Sequence, residues 1–80
     1  MPKLRVLSGP DAVKIFLGFG FHMASQKGSH IKLLRVMENG ERQILTIPNH
    51  KELDRGTVKA IFSQALRYVA DADLRPHFYT

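Results

Sequence analysis

The sequence has no cysteine and no tryptophan, and its acidic residues are few: seven Asp and Glu stand against twelve Lys and Arg. Without cysteine, the chain has neither disulfide bonds nor thiolate ligands for a metal, which fits a reducing compartment. No apolar run has the length of a signal peptide or a membrane-spanning helix. We therefore expect a cytoplasmic protein with no membrane association.

The chain is short and strongly basic. Eighty residues predict a single domain over residues 1–80, with its core at about residues 8–70 and a C-terminal tail at 71–80. Such a chain buries only about 60% of the surface that its unfolded form exposes, so we expect a thin core and shallow pockets. The net charge of +5 favours polyanionic partners, nucleic acid first. Charge alone is equally compatible with a basic protein that binds no polyanion.

A helix is predicted over about residues 9–17. Ser8 is a favourable N-cap, and Asp11, three positions later, completes a capping-box-like pair. Pro10 falls in the first turn, where its missing N–H breaks no hydrogen bond. Gly20 is the better of two glycines for a left-handed helix end. Residues with helical spacing that should face the core are Val13, Phe16 and Leu17.

Three strands are predicted next, over about residues 21–26, 30–38 and 41–47. Lys27-Gly28-Ser29 forms the bend between the first two. Asn39-Gly40 is a strong hairpin signal, because both residues tolerate a positive φ. Pro48 ends the third strand, since it has no N–H to continue the ladder.

A second helix, over about residues 55–69, begins after Asp54 as its cap. Its apolar stripe consists of Val58, Ile61, Phe62, Ala65 and Val69. The tail is compatible with one helical turn before Pro76. This order predicts an α+β fold of the αβββα type, with a three-stranded antiparallel sheet and two helices packed on one face.

Alternation along the strands predicts which face of the sheet the helices cover. In the first strand, Phe21 and Met23 point towards the helices, whereas His22, Ala24 and Gln26 point away. The covered face continues with Ile31, Leu33, Met37, Leu45 and Ile47. The open face carries His30, Lys32, Leu34, Val36, Ile44 and Thr46, and its apolar part is typical of a partner site. The opposite assignment, with Leu34 and Val36 buried beside His30, stays open.

The bend and the residue after it carry the candidate chemistry. Histidine changes its charge near neutral pH, and a neighbouring lysine can bind phosphate. On the residues alone, a surface histidine at the start of a strand is the more common interpretation of His30. The four histidines lack metal-ligand spacing, so we predict no metal site. No nucleotide-binding glycine pattern is present, and no cofactor is expected.

Several motifs, taken together and in order, resemble the HicA-type toxins, which are small mRNA interferases of toxin–antitoxin pairs. The resemblance covers roughly residues 8–66. Its central part, Gln26-Lys27-Gly28-Ser29-His30, matches the Lys-Gly-Ser-His motif of the family. The other matching segments are Leu17-Gly18-Phe19-Gly20-Phe21, Ile47-Pro48-Asn49-His50, Lys51-Glu52-Leu53 and Gly56-Thr57-Val58.

The resemblance implies a fold like a reduced double-stranded-RNA-binding domain and an endoribonuclease that cuts mRNA with His30 as its catalytic residue. It also implies a HicB-type antitoxin protein that covers the active face. The residues expected to bind the RNA are Lys27, Gly28, Ser29 and Lys32.

Two other functions stay open: a non-catalytic RNA-binding module, which grips duplex RNA through its phosphates, and a domain that binds only another protein. The oligomeric state is also open, a homo-oligomer included.

Overall fold

The first helix begins with a reciprocal pair of hydrogen bonds in the computed structural model, which describes residues 2–80. The Ser8 hydroxyl accepts from the N–H of Asp11, and the Asp11 carboxylate accepts from the N–H of Ser8, both at 3.0 Å. Helix α1 then runs over Gly9–Leu17, as predicted. Gly20, with a φ of +92°, turns the chain into the sheet.

Three antiparallel strands form one open sheet in the order β1-β2-β3. Their bounds are His22–Lys27 for β1, His30–Val36 for β2 and Arg42–Pro48 for β3. With the helices before and after them, the strands confirm the predicted α+β, αβββα fold class.

Helix α2, Arg55–Ala65, is shorter than the predicted 55–69. Its start agrees with the prediction that Asp54 is the cap: the Asp54 carboxylate accepts from the N–H of Thr57 at 2.7 Å. The prediction of its end was wrong: after Ala65 the chain tightens into turns, and the Tyr68 carbonyl is bound by the guanidinium of Arg35 instead. Val69 is nevertheless buried, as its place in the apolar stripe predicts.

The segment after residue 70 forms a third helix, α3, over Asp71–Phe78. It includes Pro76, which removes one backbone hydrogen bond from a helix. Leu74 and Phe78 are fully buried in the common core, and this burial outweighs the lost bond. None of the helices in residues 2–80 has the length and apolar character needed to cross a membrane.

The chain termini are joined by a short ladder next to α3. The Lys3 N–H donates to the Thr80 carbonyl, and the Thr80 N–H donates to the Lys3 carbonyl, at 3.1 and 2.8 Å. The Arg5 N–H donates to the Phe78 carbonyl at 2.7 Å. The first and last residues of the described chain therefore hold each other in place.

The hydrophobic core lies between the helices and one face of the sheet, as predicted. The sheet contributes Ile31, Leu33, Leu45 and Ile47, and the helices contribute, among others, Phe16, Val58, Ile61, Phe62, Leu74 and Phe78. The burial of Leu17, Met23 and Met37 was predicted wrongly, since they are 48%, 51% and 38% exposed. Met23 lies on the edge strand, where α1 covers it only in part, and Met37 lies past the end of β2.

Candidate functional site

A tight hairpin places the central motif. Gly28 and Ser29 form a two-residue loop, and Lys27 and His30 are direct cross-strand partners. Gly28 has a φ of +59°, whereas no residue other than glycine has a positive φ in the described chain. This is the pattern of a type II′ turn, which requires glycine at its first central position. Gly28 is therefore needed for the turn that brings Lys27 opposite His30.

A β-bulge in β1 decides which face Lys27 occupies. Met23 pairs with Leu33 and Ser25 with Lys32, so Ala24 is an extra residue in the ladder. Beyond this residue, the alternation of the side chains is reversed. Gln26 pairs with Ile31 and therefore lies on the helix-covered face, contrary to the prediction.

The same reversal places Lys27 on the open face with His30. Opposed side chains on one face have Cβ atoms about 4.5–5.5 Å apart. The Lys27 ammonium and the His30 ring can therefore contact the same small group.

The open face consists of rows of cross-strand neighbours. His30 lies between Lys27 and Pro48, and Lys32 lies between Ser25 and Thr46. The following rows are apolar at their centre: Leu34 with His22 and Ile44, then Val36 with Arg42. The prediction of this face was correct for every residue assigned to it on β2 and β3.

The charged side chains of this face are all basic. The three strands contain no aspartate or glutamate. The one ion pair within residues 2–80 joins Asp71 and Arg75 of α3, outside the sheet. The end of the face around His30, with Lys27 and Lys32, therefore presents uncompensated positive charge to an anion.

Two successive backbone hydrogen bonds link the hairpin loop to the segment after β3 and that segment to the start of α1. The Asn49 N–H donates to the Ser29 carbonyl at 2.6 Å, and the Gly9 N–H donates to the His50 carbonyl at 2.8 Å. A Cβ atom at Gly9 would lie 2.2 Å from the Pro48 carbonyl oxygen, so only glycine allows this close approach. The start of α1 thus supports the exit of β3, which supports the loop before His30.

None of the other three histidines shares the row of the open face that His30 forms with Lys27 and Pro48. His22 pairs with Leu34, four residues along β2 from His30, which corresponds to about 13 Å. His50 lies close to Asp54: hydrogen bonds from Thr57 hold the pKa of Asp54 below its ordinary 3.8, and the charge of His50 adds to this. His77 packs edge-on against Phe19. Among residues 2–80, no three His, Cys, Asp or Glu side chains are grouped so that they could hold a metal ion.

Arg35 has a structural place that the sequence did not indicate. Its guanidinium donates to the Phe19 and Tyr68 carbonyls and to the Gln43 side chain at 2.8–2.9 Å. It also stacks over the Phe21 ring at 4.7 Å. Arg35 therefore lies on the helix-covered face and binds the chain just after the ends of α1 and α2, whereas Arg42 pairs with Val36 on the open face.

The fold and the site define a small α+β domain with an exposed, basic sheet face. The family model described as the HicA toxin of bacterial toxin–antitoxin systems matches residues 9–66, and the chain belongs to this family. A toxin of such a system has an antitoxin as its partner. No curated protein and no solved structure matches the chain. Helix α3 lies outside the matched residues.

Proposed function

We propose that this protein is a metal-independent endoribonuclease that cleaves mRNA in the cytoplasm and is neutralised by a HicB-type antitoxin. His30 is the catalytic residue, and Lys27, Gly28, Ser29 and Lys32 bind the RNA. The observation that carries the proposal is the pairing of Lys27 with His30 on a sheet face without carboxylates. This arrangement places a proton acceptor beside fixed positive charge.

The proposed reaction begins at the ribose 2′-OH. Neutral His30 takes the proton, the 2′ oxygen attacks the adjacent phosphorus, and the bond from phosphorus to the 5′ oxygen breaks. The products are a 2′,3′-cyclic phosphate and a 5′-OH end. The requirement for the 2′-OH explains the choice of RNA over DNA.

The residues around His30 stabilise the charge that develops on the phosphate. Lys27, opposite His30 on β1, and Lys32, two residues further along β2, supply ammonium groups near the ring. A Cβ atom added at Gly28 would meet no other atom within 4 Å, so a phosphate oxygen has room to approach the backbone there. Ser29 offers a hydroxyl at the same exposed turn.

We expect a slow enzyme. His22, the second histidine of the open face, lies about 13 Å along the sheet from His30, so it does not act as the partner acid. Water then supplies the proton to the leaving 5′ oxygen. A single well-placed acid–base group contributes about 10²- to 10⁴-fold to a rate.

The test compares RNA with the same sequence carrying 2′-O-methyl groups throughout, in buffer with EDTA. The protein should bind both oligonucleotides with similar affinity, cleave only the first and leave cyclic phosphate ends. Cleavage of the methylated strand would overturn the mechanism. Binding of both strands with no turnover would instead indicate the non-catalytic RNA-binding module.

A further inference from the structure

Strand β1 is an edge of the sheet with free backbone groups. All six of its residues are exposed, and β2 is its only neighbour in the sheet of the described chain. Since Lys27 and His30 close a two-residue hairpin, these two residues exchange both backbone hydrogen bonds. In the next pair, Gln26 and Ile31, the N–H and C=O of Gln26 are then directed away from β2. They are available to another strand.

The opposite edge of the sheet is protected. The outward N–H of Thr46 in β3 donates to the Gln64 side chain of α2 at 3.2 Å. Pro48, two residues on, has no N–H. Protection of this kind is the usual way in which proteins prevent strand addition. The contrast makes β1 the edge that can accept a further strand.

An apolar cleft follows β1 on the helix-covered side. It has a volume of about 240 Å³ and lies between α1 and the edge strand. Pro10, Val13, Leu17 and Met23 contribute apolar side chains to it, and Lys14 is the charged residue in its lining. Leu17 is 48% exposed here. An edge strand beside an apolar groove is the arrangement that binds extended peptides by strand addition.

The two sides of an added strand would meet different surroundings. The residue opposite Gln26 shares its face, so its side chain enters the apolar cleft. The neighbouring side chains of the added strand project to the open face, opposite Lys27 and Ser25 of β1, with Lys32 on the far side of Ser25. This alternation selects a segment in which apolar and acidic residues alternate.

We propose that β1 binds an extended segment of a partner protein in which apolar and acidic residues alternate. A second copy of this chain fits poorly, because β1 itself contains no acidic residue and each chain carries a net charge of +5. Where the proposed ribonuclease function holds, the acidic row, which lies beside Lys27 and is separated from His30 by β1, also competes with the RNA phosphate for Lys27. The partner segment is then an inhibitor of that site.

Binding can be tested without any nuclease assay. Isotope-labelled protein is titrated with acetyl-Glu-Val-Glu-Val-Glu-Val-amide, and the amide signals of the backbone are followed by NMR. The proposal predicts shifts at Met23 and Gln26 and slower hydrogen exchange of the Gln26 amide. The matched peptide with lysine in place of every glutamate should cause neither change.

Methylated peptides test the direction of the strand addition. The valine amides would face β1, so methylation of the valine nitrogens should abolish the shifts, whereas methylation of the glutamate nitrogens should preserve them. Gln26→Pro should also abolish binding and Gln26→Ala should not, since only proline removes the N–H. The methylated peptides give this answer even if Gln26→Pro does not fold.

Shifts confined to Leu34, Val36 and Ile44 would overturn the proposal and place the partner on the open face. Equal shifts with the lysine peptide would overturn it too, as would self-association through β1. None of these results depends on RNA cleavage. Inhibition of cleavage by the glutamate peptide is measured separately, so failure of the proposed function does not affect the binding result.

Discussion

At the scale of single residues, Arg35 shows how one side chain can join several elements. Its guanidinium binds carbonyls at the ends of α1 and α2 and a side chain of β3, so three segments meet on one positive charge. The role of Arg35 is therefore to fix where both helices end against the sheet.

We predict that Arg35→Met lowers the free energy of unfolding by about 2–3 kcal/mol, because it leaves two carbonyls and an amide without their donor. Arg35→Lys should not restore the loss, since an ammonium cannot reproduce the planar fork of donors. Denaturation in urea measures both. Arg42→Met, on the open face, is the matched control and should be nearly neutral; equal losses at the two positions would contradict this role.

Lys27 is expected to act through charge alone. We predict that Lys27→Ala lowers the slope of log affinity for RNA against log salt by about one, because one phosphate contact is lost. Lys59→Ala, which removes an exposed lysine of α2, is the control and should leave the slope unchanged. Filter binding over a range of salt concentrations gives both slopes. An unchanged slope for Lys27→Ala would exclude Lys27 from the RNA interface.

At the scale of elements, both long helices begin at carboxylates that bind backbone N–H groups. Hydrogen bonds from Ser8 and Thr57 hold the pKa of Asp11 and of Asp54 below their ordinary 3.8. A carboxyl group with a depressed folded pKa stabilises the fold above its unfolded pKa, and this contribution disappears as the pH falls through the folded value. The contribution of both caps is therefore complete at neutral pH.

We predict that the melting temperature falls when the pH is lowered below about 4, and that Asp54→Asn shows a smaller fall than the wild type. The amide of asparagine still caps the helix but does not titrate. Glu52→Gln removes a nearby carboxylate that caps no helix and should follow the wild-type curve. A wild-type curve and an Asp54→Asn curve that fall in parallel would contradict the assignment.

Helix α3 is held by burial rather than by its own propensity. It is short, has no side-chain N-cap and contains Pro76. We predict that Phe78→Ala lowers the free energy of unfolding by about 3–5 kcal/mol, the usual range for a buried phenylalanine. Leu66→Ala, at a partly exposed position, should cost far less, and urea denaturation compares them. A small effect at Phe78 would show that α3 is dispensable for the fold.

Local signals in the sequence were sufficient for the elements that depend on local contacts. The Ser8–Asp11 box, the Asp54 cap and the left-handed Gly20 after α1 each involve residues a few positions apart, and all lie where they were predicted. The end of α2 and the course of residues 71–80 depend on Arg35 and on core contacts with distant segments. Sequence periodicity does not contain that information.

The part of the candidate site on β2 was predictable from the sequence, and the part on β1 was not. His30 and Lys32 lie on the open face because simple alternation holds along β2. Lys27 was expected in the bend and Gln26 on the open face, and both predictions were wrong. The cause is the bulge at Ala24, which no residue type in β1 indicates. A bulge is a property of the pairing between two strands, so a single strand's sequence does not reveal it.

At the scale of the whole molecule, the positions of the charged residues matter as much as the net charge. A net charge of +5 favours the long-range attraction of a polyanion. The carboxylates lie in the helices and turns rather than in the strands, which directs the attraction to the open face. The αβββα scaffold thus presents one open sheet face, with His30 at the end where the first hairpin turns.

The central claim is that His30 performs the chemistry, and cleavage of a long single-stranded RNA with EDTA present tests it most directly. Wild type, His30→Ala and His22→Ala are compared after circular dichroism has confirmed that all three are folded. We predict that His30→Ala loses about 10²- to 10⁴-fold in rate, whereas His22→Ala, altered on the same face but about 13 Å away, retains most of it. Cleavage by His30→Ala at the wild-type rate would contradict the account.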